Sequence, residues 1–396
     1  MFEPRFSELT RRLGTHHGSA WETHERALEM ERQGEDVILL SVGDPDFRTP
    51  EPIIDNAVSY LRVGRTHYSP ALGEIKLRRA VADLETRSSP HPCTSAEVAV
   101  FPGATNAVYS VMSCLLDPGD EVVVPEPMYV GYPTIMATIG ATVVSVPLRV
   151  ADDFSLDMGA IKAAVTDKTR VVFINNPGNP TGSIISGADL RDLAGFCRER
   201  NVWLVCDEVY SMFTYSGRHR SLRASAEEID NVVMIDGLSK SHAMSGWRIG
   251  WAVGPRNLIE QLGAHAGATL FGCPQFIQDA SAFALENDQQ YVAEMCAEYA
   301  ARRDLVLRKL EKLEALHCHK PEAGMFIMCD VDGTGMDGRE FARQLLDAER
   351  VSVVPGDAFG PSASKCVRLG LAQPRHVLKR ACKRIRRFIE ALPASP

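Results

Sequence analysis

The chain has 396 residues, a formal net charge of −8 and a hydrophobic fraction of 45%. This length exceeds one typical domain and suits a large domain with a smaller companion. No apolar run approaches the ~20 residues of a membrane span, and Met1–Arg12 lacks the apolar core of a signal peptide, so we expect a cytoplasmic protein with no membrane partner. Lysines and arginines are scattered, which argues against a nucleic-acid surface. The one cation-rich segment, Lys379–Arg387, is interpreted as a solvated helix face.

The ten cysteines could indicate a metal site or disulfides, but none has Cys-x-x-Cys spacing. The His317-Cys-His319 cluster lies alone in a predicted helix-to-strand connection, without a second ligand pair, so we expect no metal there. Several other cysteines stand in apolar periodic segments and are predicted to be reduced core residues. These are Cys114, Cys197, Cys206, Cys296 and Cys329.

The first 40 residues resemble an arm followed by a helix over Ala20–Gln33 and a short strand over Val37–Val42. Ser41–Pro50 is rich in Gly, Pro and Asp, which predicts a loop, and Gly43 would let a ligand approach its backbone closely. Thr66–Pro70 is a second predicted loop. Helices are predicted before and after it, the first beginning at Pro50 or Pro52 and running to Arg62, the second over Gly73–Thr86.

From Val98 to Val253, short apolar strands alternate with helical segments, and most of the strands read as runs buried on both faces. This pattern predicts an α/β fold with a mainly parallel seven-stranded sheet and helices on both faces. The predicted strands are Val98–Phe101, Glu121–Val124, Val143–Val146, Arg170–Ile174, Val202–Cys206, Val232–Ile235 and Ile249–Val253.

A long helical region, Gln275–Leu316, with a break near Asn287, is predicted to leave this domain. The following segments predict a smaller α+β unit: strands Met325–Val331, Val351–Val354 and Cys366–Leu371, and helices Gly338–Ala348 and Pro374–Ala391. We therefore expect residues 1–49 to form an arm and part of the small domain, 50–287 the large domain, and 288–396 the rest of the small domain.

Lys240 follows the predicted strand Val232–Ile235, at the end of a buried strand, where scaffolds commonly place catalytic groups. Desolvation and the nearby Arg248 would lower the pKa of this amine, and a neutral amine can condense with an aldehyde. Arg248 also suits a phosphate dianion because its planar fork donates two parallel hydrogen bonds. On these two residues alone, a surface lysine and a salt-bridged arginine remain the alternative.

Other candidate groups follow strands. Free amides at the start of the helix after Phe101, with the Thr105 hydroxyl, would form an anion site, although an ordinary N-cap fits equally well. Tyr129 could stack on a flat heteroaromatic ring or simply pack, and the Pro-rich turn at 175–182 could hold the amide of Asn179. Asp207 lies at the mouth of a buried strand and needs a cation, which a protonated pyridine or a core lysine or arginine would supply.

Together with the stretch Gly237-Leu-Ser-Lys-Ser-His-Ala-Met-Ser-Gly-Trp-Arg-Ile-Gly250, these motifs resemble the class I and II (fold-type I) aminotransferases, which bind pyridoxal phosphate, from about Trp21 to Arg384. The resemblance implies that Lys240 is the Schiff-base lysine and Asp207 the partner of the pyridine nitrogen. It also implies a homodimer with shared sites. One departure is Gly237, where many relatives have a phosphate-binding serine.

The resemblance implies further roles. Tyr129 would stack on the ring, and Asn179 and Tyr210 would hydrogen-bond its hydroxyl. The phosphate would be held by Ala104, Thr105, Ser239 and Arg248, and Tyr68 would reach the phosphate of the partner subunit. Arg368 would bind the α-carboxylate of the substrate, assisted by Asn179 and the Gly43 backbone.

The implied activity is ping-pong transfer of an amino group from an L-amino acid to a 2-oxo acid, with Lys240 moving a proton from the substrate's Cα. Segments such as Leu40–Phe47 and Glu126–Val130 are similar to the arginine–pyruvate branch of the family, which implies a basic donor and pyruvate as acceptor. Near the N-terminal arm, Glu22 and Glu25 could form a carboxylate wall for such a donor, or a solvated helix face.

Other activities are compatible with the same lysine and aspartate. An aminotransferase could take aspartate or an aromatic donor, and a C–S lyase or decarboxylase would direct the Cα carbanion differently. A regulator that senses pyridoxal phosphate is a non-enzymatic alternative. It is disfavoured because such regulators carry an appended DNA-binding domain, and no basic module is visible here.

Overall fold

The computed structural model describes residues 4–14, 21–215, 219–287 and 289–393. Within these ranges the strands are β1 Ile38–Leu39, β2 Val98–Phe101, β3 Glu121–Glu126, β4 Thr142–Pro147, β5 Thr169–Asn175, β6 Trp203–Asp207, β7 Val232–Gly237, β8 Gly250–Val253, β9 His317–Cys318, β10 Phe326–Asp330, β11 Val351–Ser352, β12 Val354–Pro355 and β13 Cys366–Gly370.

Seven strands form the central sheet in the order β2-β8-β7-β6-β5-β3-β4. All neighbouring pairs are parallel except those of β8, which runs antiparallel to both β2 and β7. The predicted mainly parallel seven-stranded sheet is therefore confirmed. The edge strand β4 departs from the expected burial on both faces: most of its residues are exposed or half-buried, because it has only one neighbouring strand.

The helices of the described residues are α1 Glu8–Gly14, α2 Glu22–Arg32, α3 Glu51–Arg62, α4 Ile75–Ser88, α5 Ala104–Leu115, α6 Gly131–Ile139, α7 Met158–Ala164, α8 Gly187–Glu199, α9 Leu222–Ser225, α10 Leu238–Ser241, α11 Arg256–Thr269, α12 Gln275–Asn287, α13 Gln289–Leu310, α14 Gly338–Glu349 and α15 Arg375–Glu390. Ala20, where the first long helix was predicted to begin, lies outside the described residues. Residue 288, where the break near Asn287 was predicted, lies outside the described residues, and α13 ends at Leu310 rather than Leu316.

Helices cover both faces of the central sheet because its strands alternate apolar side chains between the faces. On β3, for example, Val122 packs into a core that includes residues of α5 and α11, whereas Val123 packs into a second core that includes residues of α4, α8 and α12. Both valines are fully buried. The two cores hold the carboxyl ends of β5, β6 and β7 in place, and the candidate site lies at these ends.

Strands β9 to β13 follow α12 and form two further sheets, one of which also includes β1. Strands β12, β13, β10 and β9 form an antiparallel sheet in that order, and β1 pairs with β11. Ile38 and Leu40, near the N-terminus, share a core with Phe341 of α14 and Ile385 of α15. The segment 311–316 consists of turns, and His317 with Cys318 forms the short strand β9 rather than the predicted connection.

None of the helices in the described ranges combines the length and the apolar character needed to cross a membrane.

Candidate active site

A cavity of about 330 Å³ lies at the carboxyl ends of the parallel strands, between the central sheet and the sheet that contains β10 and β13. Of the twelve residues predicted from the sequence to bind cofactor or substrate, eleven line it. These are Gly43, Ala104, Thr105, Tyr129, Asn179, Asp207, Tyr210, Ser239, Lys240, Arg248 and Arg368. Residues more than 300 positions apart thus meet in one cavity.

Lys240 stands in the one-turn helix α10, immediately after β7, and its Nζ donates a hydrogen bond of 2.7 Å to the carbonyl oxygen of Gly43. Burial lowers the pKa of Lys240, and Arg368 acts in the same direction, while Asp44 and Asp207 oppose the shift. A lowered pKa increases the fraction of neutral amine, which is the form that attacks a carbonyl carbon or accepts a proton.

Asp207 ends β6 and is 6% exposed. Its Oδ2 accepts a hydrogen bond of 2.8 Å from the Tyr132 hydroxyl, and its Oδ1 accepts one from the backbone N–H of Val209. Burial raises the pKa of Asp207 to about 6 despite these two donors. A cation placed against the carboxylate would stabilise its charged form, so this wall of the cavity favours a positively charged ring nitrogen.

Arg368 lies in β13 and is buried, and no carboxylate among the described residues forms an ion pair with it. Its Nη1 donates to Oδ1 of Asn179 at 3.0 Å, and the guanidinium lies over the rings of Phe326 and Phe359. Its Nε is buried without a hydrogen-bond partner. Burial lowers the pKa of Arg368 to about 10. A buried guanidinium with an unused donor is suited to an anionic ligand.

The start of α5 forms a second corner that fits an anion. Gly103 precedes the helix with a φ of +91°, and a Cβ added there would lie 2.5 Å from Nη2 of Arg248. A Cβ on Gly250 would lie 2.5 Å from the amide nitrogen of Ala104. The two glycines therefore let the Arg248 guanidinium and the first amides of the twelve-residue helix α5 converge, which is an arrangement suited to a phosphate.

The glycine at position 237 has a structural consequence. A Cβ there would lie 2.8 Å from the carbonyl oxygen of Ile249 and 3.0 Å from Cα of Gly250. A serine at this position would therefore require β8 to shift. β7 and β8 lie so close together here that a serine side chain would not fit.

Among the twelve residues predicted to bind cofactor or substrate, Tyr68 is the one that does not line the cavity of its own chain. It is 82% exposed and contacts Phe271 edge to face, with ring centroids 5.2 Å apart. Glu22 and Glu25 are also exposed and absent from the cavity wall, and Glu22 lies 4.0 Å from Arg339. The hypothesis that these two glutamates form a wall for the donor does not match the described chain.

Several residues of the site had no role in the sequence analysis. Tyr132 binds Asp207, Trp21 lines the cavity from the N-cap of α2, and Phe326 with Phe359 packs against Arg368. Tyr132 lies in α6, whereas Tyr129 precedes that helix, so no helical spacing connects the two tyrosines and the sequence offered no signal for Tyr132. The phenylalanines gave no signal, since aromatic residues near strands usually indicate packing.

The cysteines partly match the expectation. Cys197, Cys206 and Cys329 are fully buried, but Cys114 and Cys296 are only partly buried. Among the described residues, no group of three or more His, Cys, Asp or Glu side chains has an arrangement that could hold a metal ion.

Comparisons with known proteins agree with this geometry. Residues 35–385 match the family model described as aminotransferase class I and II. The chain is 42% identical to arginine–pyruvate transaminase AruH of Pseudomonas aeruginosa, over 96% of this chain and 97% of that protein. It is 35% identical to aspartate aminotransferase of Geobacillus stearothermophilus, over 93% and 95% of the two chains.

Among solved structures, aspartate aminotransferase from Thermus thermophilus with maleate matches with a TM-score of 0.91 at 33% identity, covering 98% of this chain and 100% of that one. Aromatic aminotransferase from Pyrococcus horikoshii matches with a TM-score of 0.87 at 34% identity, covering 92% and 98%. The sequence resemblance is thereby confirmed: the chain belongs to the class I and II aminotransferases and is a transaminase that acts on an amino acid and a 2-oxo acid.

Proposed function

We propose that the cavity binds pyridoxal phosphate, with Lys240 as its covalent anchor and Asp207 as the partner of its ring nitrogen. The observation that carries this proposal is the meeting of Lys240, Asp207 and Arg368 around one cavity of about 330 Å³. An amine of lowered pKa, a buried carboxylate without a cation and a buried guanidinium without an anion are each unfavourable alone. A bound cofactor and substrate would satisfy all three.

Around the cofactor, Tyr129 would stack on the ring, and Asn179 and Tyr210 would hydrogen-bond its hydroxyl. The phosphate would lie at the start of α5, against Ala104, Thr105, Ser239 and Arg248. Gly103 and Gly250 support this placement. Because neither has a Cβ, the Arg248 guanidinium can approach Gly103 and the Ala104 amide can approach Gly250. Gly237 leaves the phosphate without the serine contact that many relatives have, so the other groups must carry its charge.

When bound, pyridoxal phosphate supplies an electron-withdrawing ring that stabilises negative charge at the substrate's Cα. Lys240, once free of its covalent link, acts as the base that removes the Cα proton, and its lowered pKa keeps more of the amine neutral near pH 7. Asp207 would hold the ring nitrogen in its protonated form, and the Tyr132 hydroxyl orients the Asp207 carboxylate through a 2.8 Å hydrogen bond.

The α-carboxylate of the substrate would bind Arg368, with Asn179 and the Gly43 backbone beside it. Amino acid and 2-oxo acid both carry this carboxylate, so one guanidinium can bind the two substrates in turn. That alternation fits a ping-pong sequence in which the first product leaves before the second substrate enters. The rings of Phe326 and Phe359 pack against the guanidinium, with their centroids 4.1 and 4.8 Å from its carbon, and so hold it in one orientation.

We further propose that the donor is L-arginine or another basic amino acid and that the acceptor is pyruvate. A relative 42% identical over nearly the whole chain carries the name arginine–pyruvate transaminase. The described cavity offers Trp21 rather than a second carboxylate at its N-terminal side. An indole face can hold a guanidinium through a cation–π contact, so we assign the wall for the donor to Trp21 in place of Glu22 and Glu25.

The enzyme is proposed to act as a homodimer in which Tyr68 reaches the phosphate in the partner subunit. Its ring is 82% exposed in one chain, and large apolar side chains before and after it in the sequence are exposed as well, together with that of Phe271, which contacts it. These are Val58, Leu61, Val63, Ile75 and Phe271. A second copy would cover them. The division into residues 1–49, 50–287 and 288–396 also stays a proposal, supported by the core that joins Ile38 to α14 and α15.

The test is transfer of isotope from donor to acceptor. The purified chain, loaded with pyridoxal phosphate, is given L-arginine labelled with ¹⁵N at the α-amino group, together with pyruvate. Mass spectrometry should find the label in alanine, and the 2-oxo acid of arginine should appear in equal amount. Transfer from other donors but not from basic ones would contradict the donor proposal, and no transfer from any amino acid would contradict the proposed site.

A further inference from the structure

Cys318 of β9 and Cys329 of β10 are directly opposite each other on antiparallel strands. The backbone N–H of His319 donates to the Met328 carbonyl at 2.9 Å, so the pair 319/328 is hydrogen-bonded and the pair 318/329 is not. In a non-hydrogen-bonded pair the Cα atoms lie about 4.5 Å apart and the side chains approach closely. This spacing falls in the Cα range that a disulfide needs. The two sulfurs are in contact, 2.6 Å apart.

The two thiols differ in their access to solvent. Cys318 is partly exposed, whereas Cys329 is fully buried, and burial raises the pKa of the Cys329 thiol. Cys366 and Cys382, which act on the pKa of Cys329 from nearby, are buried as well. An oxidant from solvent therefore meets Cys318 first, and Cys329 stands directly behind it as a second thiol.

We propose that Cys318 and Cys329 are a site of reversible oxidation. The two residues form a disulfide with each other by exchange with a low-molecular-weight disulfide. In the first step the Cys318 thiolate attacks one sulfur of the small disulfide, forming a mixed disulfide and releasing one small thiolate. In the second, Cys329 loses its proton and attacks the Cys318 sulfur, releasing the second small thiolate. Two protein thiols are oxidised and one small disulfide is reduced, and the two protons lost by the protein thiols are taken up by the two small thiolates.

The segment between the two cysteines makes contacts that connect this site to the active site. The backbone N–H groups of Glu322 and Ala323 both donate to the carbonyl of Gly182 at 3.0 Å, in the turn that also contains Asn179. Phe326 lies 4.1 Å from the Arg368 guanidinium, measured to the ring centroid. A bond between Cys318 and Cys329 would close the base of this segment and restrict it in the unfolded chain, which should stabilise the folded protein.

The experiment treats the holoenzyme with oxidised glutathione and then counts thiols in denaturant after removing excess reagent. The wild type should fall from ten free thiols to eight, and peptide mapping should find the segments of Cys318 and Cys329 joined, with a mass two hydrogens lower than the reduced pair. Its Tm should rise by a few degrees and return to the starting value with dithiothreitol.

Cys114→Ser is the matched control, because Cys114 is also partly buried and has no cysteine beside it in the described structure. This variant should form the same cross-link, whereas Cys318→Ser and Cys318→Ala should form none and show no oxidation-dependent change in Tm. A stable mixed disulfide at Cys318 without the cross-link would overturn the proposal. Equal Tm values for the cross-linked and reduced wild type would overturn its stabilising effect.

Discussion

The Arg368 guanidinium donates a hydrogen bond of 3.0 Å to the side-chain oxygen of Asn179, and this contact joins β13 to the turn that follows β5. The two residues are 189 positions apart in the chain. Because Asn179 takes only one of the five N–H groups of the guanidinium and Nε has no partner, donors remain for a substrate carboxylate. The contact therefore orients the arginine without saturating it.

Arg368→Lys should lower kcat/KM about 100-fold for the amino acid and for the 2-oxo acid alike, because an ammonium cannot reproduce the two parallel hydrogen bonds to a carboxylate. Steady-state kinetics with each substrate varied in turn would measure both losses. Arg375→Lys is the matched control, since Arg375 is exposed and pairs with Glu298 away from the cavity. A loss confined to one of the two substrates would show that they do not share this arginine.

Lys240→Ala should reduce transamination to background while leaving the fold intact, because no other lysine lines the cavity in the described chain. After borohydride treatment and denaturation, the mass of the wild type should include the cofactor and that of the variant should not. Lys162→Ala, which removes a lysine paired with Asp192, should behave as the wild type. Retention of cofactor mass by the Lys240 variant would place the covalent link elsewhere.

The sequence predicted the sheet and most of the site because both depend on local patterns. Apolar runs marked the seven strands, and groups such as Lys240 and Asp207 follow these runs directly. The partners of those groups depend on packing between distant segments. Tyr132 meets Asp207 across 75 positions, which no periodicity encodes. The direction of an exposed helix face was equally unavailable, so for Glu22 and Glu25 a carboxylate wall and a solvated helix face both stayed open. In the structure, Trp21 is the residue of that segment that lines the cavity.

The buried carboxylate of Asp207 predicts opposite effects of Asp207→Asn with and without cofactor. Burial raises the pKa of Asp207 from 3.8 to about 6, so the cofactor-free fold loses stability as pH rises through this range. Removing the charge should then stabilise the cofactor-free protein at pH 8 by up to about 3 kcal/mol, with little effect at pH 4. Thermal unfolding of both forms at the two pH values would measure this.

In the loaded enzyme the sign should reverse, since the carboxylate then faces a cationic ring nitrogen. Asp207→Asn should lower the Tm of the loaded form at pH 8 and slow Cα proton exchange by orders of magnitude. Proton exchange of the donor in deuterated water, without any acceptor, isolates that step. If the substitution has the same effect on both forms, Asp207 does not contact the cofactor.

The proposed sharing of Tyr68 can be tested by mixing defective chains. In a hybrid of a Lys240→Ala chain and a Tyr68→Phe chain, one site should carry both changes and the other neither. Random exchange makes half of the dimers hybrid, so about a quarter of all sites should be intact. Specific activity should rise above the mean of the two separate variants. If Tyr68 serves its own chain, every site stays defective and the activity does not rise.

The preference for the donor should depend on the π face of Trp21. Trp21→Leu keeps an apolar wall but removes the ring, and should lower kcat/KM for L-arginine about 3–30-fold, the range of a cation–π contact, while changing that for L-alanine less than threefold. Trp21→Phe should fall between leucine and the wild type. Glu22→Gln and Glu25→Gln are the controls, because both glutamates are exposed and off the cavity wall.

The comparison is a steady-state series of L-arginine, L-lysine, L-alanine, L-aspartate and L-phenylalanine with pyruvate as the common acceptor. Equal losses for arginine and alanine in Trp21→Leu would mean that the indole shapes the whole cavity rather than recognising a cation. A loss for arginine in either glutamine variant would return the recognition to a carboxylate, through a movement of α2 that brings Glu22 or Glu25 over the bound donor. Because all five amino acids present the same α-carboxylate to Arg368, a change in their relative kcat/KM between the wild type and a variant reports on the wall around the donor side chain.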